Sequence, residues 1–315
     1  MMDLTDQRLD LLASCRVPGI SWELLAREAQ RAGTVKHLLD GEVLETSRAA
    51  DDARRLLSEA AGTLEERREW VRQEHQAATD AGARLLTVLD EDYPDNLRVI
   101  VNLPPFLYVL GTLVPDDARS VGVVGTRQPS PEGRRSSARM AKLLAGRGVT
   151  VVSGLAAGID AAAHEAALGA SGRTIAVMGT GILGRYPKEN AELAELIAGS
   201  GALVSQFWPS SPPRRSNFPK RNVVTSGISQ GTVVIEASST SGAKMQARLA
   251  VEHGKKVFLV SSLVMEQKWA QDYVKRHGRR VVVVKSVDDV MAQLRSVNEV
   301  EALTSQRRQL AFDLS

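Results

Sequence analysis

Short apolar runs rich in valine recur between Ser120 and Val284, and helical patterns lie between most of them. Continuous β-branched runs are typical of parallel strands that are buried on both faces, and the helices between them cover those faces. The predicted strands are residues 121–124, 149–152, 174–178, 232–235, 256–260 and 281–284, with a weaker one at 202–204. The pattern therefore predicts a doubly wound α/β domain with a mostly parallel sheet.

The first 80 residues lack such runs and read as amphipathic helices. Ser21 is a candidate N-cap for the second helix, and Thr63 with Glu66 fits a capping box. We therefore predict a small all-helical domain at residues 1–80. Two further strands, 85–89 and 106–110, begin an α/β domain that covers residues 83–295. Residues 296–315 are predicted to form a polar tail.

The segment Phe207–Asn222 contains four prolines, four cations and three aromatic residues but no acid. No Asp or Glu lies between Glu195 and Glu236. Because proline lacks an N–H donor and restricts φ, the segment is predicted to be a loop and not a helix. Cations beside aromatic rings suit a polyanion whose bases stack, which is the chemistry of single-stranded nucleic acid. The alternative is a solvated linker.

Composition limits the classes of function. The single cysteine, Cys15, excludes a disulfide framework, and the five histidines show no metal-ligand spacing. No apolar run reaches the roughly 18 residues of a membrane span, and the N-terminus lacks a signal pattern, so we expect a cytoplasmic protein without a membrane partner. Residues 1–80 carry 11 basic and 16 acidic side chains, whereas the whole chain has a net charge of +3, so the positive charge lies after residue 80.

Small residues follow several predicted strands. Gly125-Thr126-Arg127, Ser153-Gly154 and Ser241-Gly242 each stand where a strand gives way to a helix. In an open parallel sheet these turns gather at the carboxyl edge, where backbone N–H groups and helix N-termini bind phosphate. The pattern predicts a phosphate-binding rim, and the alternative is that the glycines only permit tight turns.

Several enzyme motifs are absent or incomplete. Gly179–Gly184 fits G-x-G-x-x-G, but Arg185-Tyr186-Pro187 intervenes before the next helix, which argues against a dinucleotide site. No phosphate-binding P-loop and no nucleophile elbow are present. Asp160 and His164 could share a helix face as acid and base, although capping by Asp160 and packing by His164 fit better. We predict no cofactor and no catalytic residue.

The sequence Val17-Pro18-Gly19-Ile20 lies between two predicted helices. It could form a helix-hairpin-helix turn, which holds a DNA phosphate on backbone N–H groups. In an acidic segment, plain helix packing is the alternative.

The order of these landmarks resembles the DprA/Smf family of bacterial DNA-processing proteins. The resemblance covers roughly residues 85–262. The residues that carry it are Val124-Gly125-Thr126-Arg127, Ser153-Gly154-Leu155-Ala156-Ala157-Gly158-Ile159-Asp160 with His164, Tyr186-Pro187-Lys188-Glu189-Asn190, Phe218-Pro219-Lys220-Arg221-Asn222 and Ser241-Gly242-Ala243.

The resemblance implies an extended Rossmann-like fold and a homodimer that binds single-stranded DNA. It also implies that the protein protects this DNA and loads a RecA-type recombinase onto it in transformation or recombination, without catalysis. By position, Gly125, Thr126, Arg127 and the backbone of Ser153 and Gly154 would hold phosphates. The DNA groove would be lined by Lys220, Arg221, Asn222, Ser241 and Gly242, with Phe218 either stacking on a base or packing beneath the loop. Lys244, where the chain departs from the family pattern, could add a phosphate contact at the start of its helix.

The chain departs from the family pattern at Gln206, Val223, Lys244 and Gln246, and the common C-terminal winged helix is not expected in it. Two other functions remain open. One is a nucleotide sensor or nucleoside phosphoribohydrolase-like enzyme of the same fold group, which would use the same phosphate rim. The other is a protein-interaction adaptor that docks through its acidic helical segment.

Overall fold

The computed structural model describes residues 4–313. Residues 1–3 of the predicted helical domain and residues 314–315 of the predicted tail lie outside the described residues. Within residues 4–313 the α-helices are α1 Asp6–Cys15, α2 Trp22–Ala32, α3 Lys36–Leu39, α4 Arg48–Glu59, α5 Leu64–Asp80, α6 Asp95–Arg98, α7 Pro131–Ala145, α8 Ile159–Gly169, α9 Ala191–Ser200, α10 Asn217–Ile228, α11 Gly242–Glu252, α12 Ser261–Glu266, α13 Lys268–His277, α14 Val287–Met291 and α15 Val297–Asp313. Short 3₁₀ helices occupy Ala61–Thr63, Pro115–Ala118, Lys188–Asn190 and Gly278–Arg280.

The strands are β1 Arg84–Thr87, β2 Phe106–Gly111, β3 Ser120–Val124, β4 Thr150–Ser153, β5 Thr174–Val177, β6 Ala202–Ser205, β7 Gly231–Val234, β8 Lys256–Val260 and β9 Val281–Val284. They form one nine-stranded sheet in the order β1-β2-β6-β5-β4-β3-β7-β8-β9. Strands β3 to β9 are parallel, and β1 and β2 join the sheet through antiparallel pairing at β6. The predicted doubly wound, mostly parallel sheet is confirmed.

Strand β3 is the topological switch of this sheet. It pairs with β4 on one side and with β7 on the other, so the chain first adds strands in one direction and then returns to add them in the other. Open α/β sheets bind ligands at the carboxyl ends of the strands that flank such a point.

The N-terminal helices pack directly on the β1–β2 side of the sheet. Their buried leucines and the buried apolar residues of β1, β2, β5 and β6 belong to one hydrophobic core, and a second core surrounds β3, β7, β8 and β9. Trp208 links the two segments, because its ring lies 5.0 Å from Trp70, 5.7 Å from Trp22 and 4.8 Å from Phe106. The helical segment therefore has no hydrophobic core of its own.

One of the two predicted helix caps is present. The Ser21 hydroxyl accepts a hydrogen bond from the Leu24 N–H at 3.2 Å, as predicted. The predicted capping box at Thr63 is wrong, because Thr63 ends a 3₁₀ turn and its hydroxyl donates to the Ala60 carbonyl at 3.1 Å. The hydroxyl also accepts from Arg67, which occupies the oxygen that a cap would need.

The proline-rich segment is only partly a loop. Its first ten residues, 207–216, are irregular, but α10 begins at Asn217 and contains Pro219 in its first turn. The prediction that the whole segment is a loop was wrong because the N–H groups of the first turn have no intrahelical acceptor, so proline costs little there.

The described part of the predicted polar tail is helical. Residues 297–313 form α15, and Val300 is buried. No helix among residues 4–313 combines the length and the apolar character that a membrane crossing requires.

Candidate functional site

A pocket of about 350 Å³ opens at the carboxyl ends of β3, β4 and β7, at the topological switch. Its wall comes from the β3–α7 loop, the segment before α8, the first turns of α10 and the start of α11. The lining residues are Val124, Gly125, Thr126, Arg127, Gly154, Ala156, Asp160, Phe218, Pro219, Arg221, Asn222, Thr225, Ser238, Ser241, Gly242, Ala243, Met245 and Gln246.

The structure brings together most of the predicted site residues. Nine of them line this pocket: Gly125, Thr126, Arg127, Gly154, Phe218, Arg221, Asn222, Ser241 and Gly242. The other three, Ser153, Lys220 and Lys244, lie outside its lining. Turns that are far apart in the sequence thus converge, as the positions of the predicted strands required.

Two glycines allow the walls of the pocket to approach each other. A Cβ on Gly125 would overlap the Ile159 side chain, and a Cβ on Gly158 would lie 2.6 Å from the carbonyl oxygens of Thr126 and Arg127. Gly158 also has φ = +86°, which an L side chain rarely adopts. The loop after β3 is therefore held against the start of α8, where the Ile159 N–H donates to the Thr126 carbonyl at 3.2 Å.

Arg127 is the exposed cation of the pocket. Its guanidinium lies 5.3 Å from the centre of the Phe218 ring, which in turn lies 5.7 Å from the Tyr186 ring. Phe218 closes over Gly179, where an added Cβ would lie 2.7 Å from the ring. Phe218 is half-buried and Tyr186 is 41% exposed, so both a packing face and an accessible face are present.

Arg221 lines the pocket from its floor. It is 6% exposed, and its guanidinium donates to the carbonyls of Gly154 and Val177, the latter at 2.8 Å, and to the Asn222 side chain at 3.0 Å. Burial lowers its pKa, an effect that the charge of Asp160 opposes. Because its donors face protein carbonyls, Arg221 holds the floor of the pocket together.

Ser153 and Gly154, which were predicted to hold phosphates through their backbone, have hydrogen-bond partners within the protein. The Gly154 N–H donates to the Asp160 carboxylate at 3.1 Å, and the fully buried Ser153 hydroxyl donates to the Val123 carbonyl at 2.7 Å. Burial raises the pKa of Asp160, against the lowering effects of the Arg221 charge, of the Ala156 and Gly154 N–H groups and of the Ser153 hydroxyl. Both predicted residues therefore support the floor of the pocket.

The start of α11 forms the opposite wall. The Ser241 hydroxyl caps the helix by accepting from the Ala243 N–H at 3.1 Å. The Lys244 ammonium donates to the Ser239 carbonyl at 3.1 Å and lies 5.7 Å from the Trp269 ring centre, on the rim next to the pocket. Buried Gln246, with its amide oriented to satisfy both groups, bridges α11 to α10 through the Asn222 carbonyl and the Ser226 N–H.

Lys220 points to a different cavity. It lines a second pocket of about 250 Å³, between the N-terminal helices and the outer side of α10. Lys220 is exposed, and it forms no ion pair with any residue whose side chain the structure describes. Consecutive residues of α10 thus serve two cavities, a consequence of helical geometry that the sequence spacing did not reveal.

The two remaining predicted motifs have structural roles. His164 is fully buried, and its Nδ1 lies 2.7 Å from the Thr174 hydroxyl, so it does not reach the pocket. Burial, together with the charge of Arg221, lowers the His164 pKa to about 3. The Gly179–Gly184 turn lies beneath the 207–216 loop, because a Cβ on Gly181 would overlap the carbonyls of Trp208 and Pro209.

Sequence reasoning missed two aromatic residues of the rim, Tyr186 and Trp269. Tyr186 belongs to the Tyr-Pro-Lys-Glu-Asn motif, which was a signal for the family but not for the site. Trp269 lies in α13, between β8 and β9, and its indole N–H donates to the Ala237 carbonyl at 3.0 Å. Nothing in the local sequence links it to Lys244.

These features define a Rossmann-like protein with a pocket at the topological switch of its sheet. The sequence profile of the family described as DNA recombination-mediator protein A matches residues 84–295. The chain belongs to this family.

Individual relatives agree with this assignment. The protein Smf of Synechocystis is 43% identical over 190 residues, which cover 59% of this chain and 47% of that protein. The chain thus spans about half the length of this curated relative. DNA processing protein A of Streptococcus pneumoniae superposes with a TM-score of 0.73 at 28% identity, over 93% of this chain and 99% of the other. DNA processing protein A of Helicobacter pylori shares the fold, with a TM-score of 0.58 at 24% identity over 71% of this chain and 96% of the other.

Proposed function

We propose that this chain binds single-stranded DNA along the carboxyl edge of its sheet. The observation that carries the proposal is a set of aromatic rings and cations in two groups at the rim of the pocket. Tyr186, Phe218 and Arg127 form one group, and Lys244 and Trp269 form the other, next to the start of α11. Rings stack on bases of any sequence, and cations hold the phosphates between them, which is how proteins bind single strands without base preference. The H. pylori relative binds single-stranded DNA, which supports the proposal.

The charged residues around these rim residues favour the binding of an anion. Glu236, the carboxylate that follows β7, accepts hydrogen bonds from the Ser130 N–H and hydroxyl, the latter at 2.7 Å, so it faces α7 and not the pocket. Arg214 and Arg215 are exposed in the segment just before α10 and form no ion pair with another residue whose side chain is described. They add positive charge to the segment that leads into Phe218.

We further propose, from membership in the family, that the bound strand is handed to a RecA-type recombinase and that the protein acts as a homodimer. In this proposal the pocket binds and does not catalyse. Its two buried ionisable side chains, Asp160 and Arg221, are engaged by the surrounding backbone and support that interpretation.

The test is fluorescence anisotropy with a labelled oligothymidylate over a series of salt concentrations. Arg127→Ala removes the exposed cation, and we expect it to weaken binding about tenfold and to lower the salt dependence by about one phosphate contact. Lys142→Ala is the matched control. It removes the same charge from the last turn of α7, at the opposite edge of the sheet, and should leave binding unchanged.

The proposal fails if the wild-type protein does not bind the oligothymidylate at low salt, or if Arg127→Ala and Lys142→Ala behave alike. The nucleotide-sensor alternative would be favoured if the protein binds a mononucleotide in calorimetry but does not bind the oligonucleotide. A pocket of about 350 Å³ is large enough for a mononucleotide.

A further inference from the structure

The second pocket, which contains Lys220, includes none of the aromatic rings and cations at the rim of the first pocket. It measures about 250 Å³ and lies where the Val17–Ile20 turn and the start of α2 face α10 and the end of β6. Its lining residues are Ile20, Trp22, Glu23, Asn102, Pro104, Gln206, Phe207, Asn217, Lys220 and Val223. The helical segment and the sheet domain therefore build this cavity together.

One polar side chain in the pocket lacks a partner. Gln206 is only 8% exposed, yet within the described part of the chain its amide makes no hydrogen bond. The polar atoms of this amide face the cavity, so they remain able to bond to water or to a ligand there. Asn102 and Asn217, which also line the cavity, have partners, since Asn102 Oδ1 lies 2.9 Å from His253 and Asn217 donates to the Gly179 carbonyl at 3.2 Å. Gln206 thus presents a free donor and a free acceptor to whatever fills the cavity.

The other walls suit a flat aromatic ligand. Trp22 and Phe207 supply apolar surface, and Trp22 is fixed in place because its indole N–H donates to the Cys15 carbonyl at 2.8 Å. The Glu23 carboxylate is exposed at the mouth, where it accepts a hydrogen bond from the Ser21 hydroxyl at 3.0 Å. Lys220 is the cation of the same mouth. An amide, a carboxylate acceptor, an aromatic wall and an outer cation match a nucleobase with its phosphate.

The two cavities lie on either side of the first turn of α10. Asn217 and Lys220 line the second pocket, whereas Phe218 and Arg221 line the first. A helix is about 10 Å wide, so a few nucleotides of an extended strand can pass from one cavity to the other.

We propose that the second pocket receives one unstacked base of the bound single strand, and that it prefers a base with an exocyclic amino group. Such a base donates to the Glu23 carboxylate and pairs with the Gln206 amide, whereas thymine has no amino group to donate. This inference rests on the proposed function, since it takes its ligand from the strand held at the first pocket. It gives the Val17–Ile20 turn a role as a wall of a base site.

The first test compares two labelled strands of about 16 nucleotides, one of thymine alone and one of alternating cytosine and thymine. With alternation, a shift of a single nucleotide places a cytosine in the pocket. We expect the wild-type protein to bind the alternating strand at least about threefold more tightly. Gln206→Met, which keeps the side-chain volume, should bring the ratio of the two affinities close to one without weakening binding of the thymine strand. Lys142→Ala should keep the wild-type ratio.

The second test needs no variant. A strand that carries 5-iodocytosine is irradiated in complex with the wild-type protein, and the crosslinked residue is identified by mass spectrometry. Crosslinks to Trp22 or Phe207 support the proposal. Crosslinks confined to Tyr186, Phe218 and Trp269 overturn it, as does an affinity ratio that Gln206→Met leaves unchanged. If the thymine strand binds in a manner that depends on salt and Arg127 while these results are negative, only the base site is refuted. If no strand binds, the proposed function falls as well.

Discussion

At the scale of single residues, the two arginines of the first pocket have opposite environments. Arg127 is exposed beside Phe218, whereas Arg221 is buried and bonded to backbone carbonyls. The sequence places both in motifs of the same type, and only tertiary packing distinguishes a cation that faces solvent from one that faces carbonyls. Glycine turns and valine runs locate the pocket from local spacing, but burial of a long side chain depends on residues far away in the chain.

This difference predicts different effects on stability. Arg221→Met leaves the carbonyls of Gly154 and Val177 without their donor, so we expect the free energy of unfolding to fall by about 2–3 kcal/mol. Arg127→Ala should change it by less than about 0.5 kcal/mol, because the site is on the surface. Urea denaturation of both variants measures the two values. Equal stabilities would show that the buried bonds of Arg221 do not support the fold.

His164 predicts a loss of stability in acid. Its folded-state pKa of about 3 lies below the usual value of about 6.5, so the stability that its neutral form provides is complete above about pH 6.5 and is lost as the pH falls toward 3. The contribution of this one residue should drop by about 2 kcal/mol between about pH 7.5 and about pH 5. His164→Gln should flatten the pH profile of urea unfolding by this amount. A profile of unchanged slope would assign the acid sensitivity to other groups, among them His253, whose pKa burial lowers to about 4.

At the scale of elements, α10 serves both cavities and is anchored at its far end. The Lys255 ammonium donates to the carbonyls of Ser226 and Ser229, at 3.0 and 2.7 Å, and to that of Gly227. These carbonyls belong to the end of the helix, where intrahelical donors are lacking. Burial lowers the pKa of Lys255, because removing the ammonium from water disfavours its charged form. The hydrogen bonds to the end of α10 offset this desolvation.

Lys255→Met should therefore loosen α10 selectively. We expect the amides near Ile228 to exchange with solvent faster than those of α7, and global stability to fall by about 2 kcal/mol. Hydrogen exchange followed by mass spectrometry gives the comparison between the two helices. Uniform acceleration in both would mean that Lys255 supports the fold in general and has no specific effect on α10.

Strands were easier to predict than the ends of helices. The valine-rich runs are strands, and those inside the sheet are buried on both faces, so their pattern does not depend on position along the run. The edge strand β9 has Val283 exposed but keeps the same valine-rich pattern. In contrast, Pro219 concealed the start of α10 and the polar surface of α15 resembled a tail, since both features depend on position within a helix and on what packs against it.

At the scale of the whole molecule, the N-terminal helices complete the hydrophobic core of the sheet. The boundary predicted after residue 80 does fall between α5 and β1, but Trp22 and Trp70 cover Trp208 across it. A change in sequence character thus marks where the chain changes from helices to strands. It does not mark the end of a hydrophobic core, because one core spans both segments.

We therefore expect residues 84–295 alone to fold poorly. Loss of the helices exposes Phe106 and Trp208, so the fragment should bind a hydrophobic dye and aggregate, whereas the whole chain should unfold in one cooperative transition. Calorimetry of the whole chain and dye binding by the fragment test both parts. A fragment that unfolds cooperatively and binds no dye would show that the sheet domain is independent.

The contact between Gly154 and Arg221 constrains how these two positions can change in evolution. A side chain at position 154 would occupy the space of the Arg221 guanidinium, so neither position can change alone without loss. A chain that gains a side chain at 154 must first shorten residue 221, and a chain that shortens residue 221 relaxes the demand for glycine at 154. Across descendants of this protein, the two positions should covary as one unit, while exposed Arg127 varies only with the ligand.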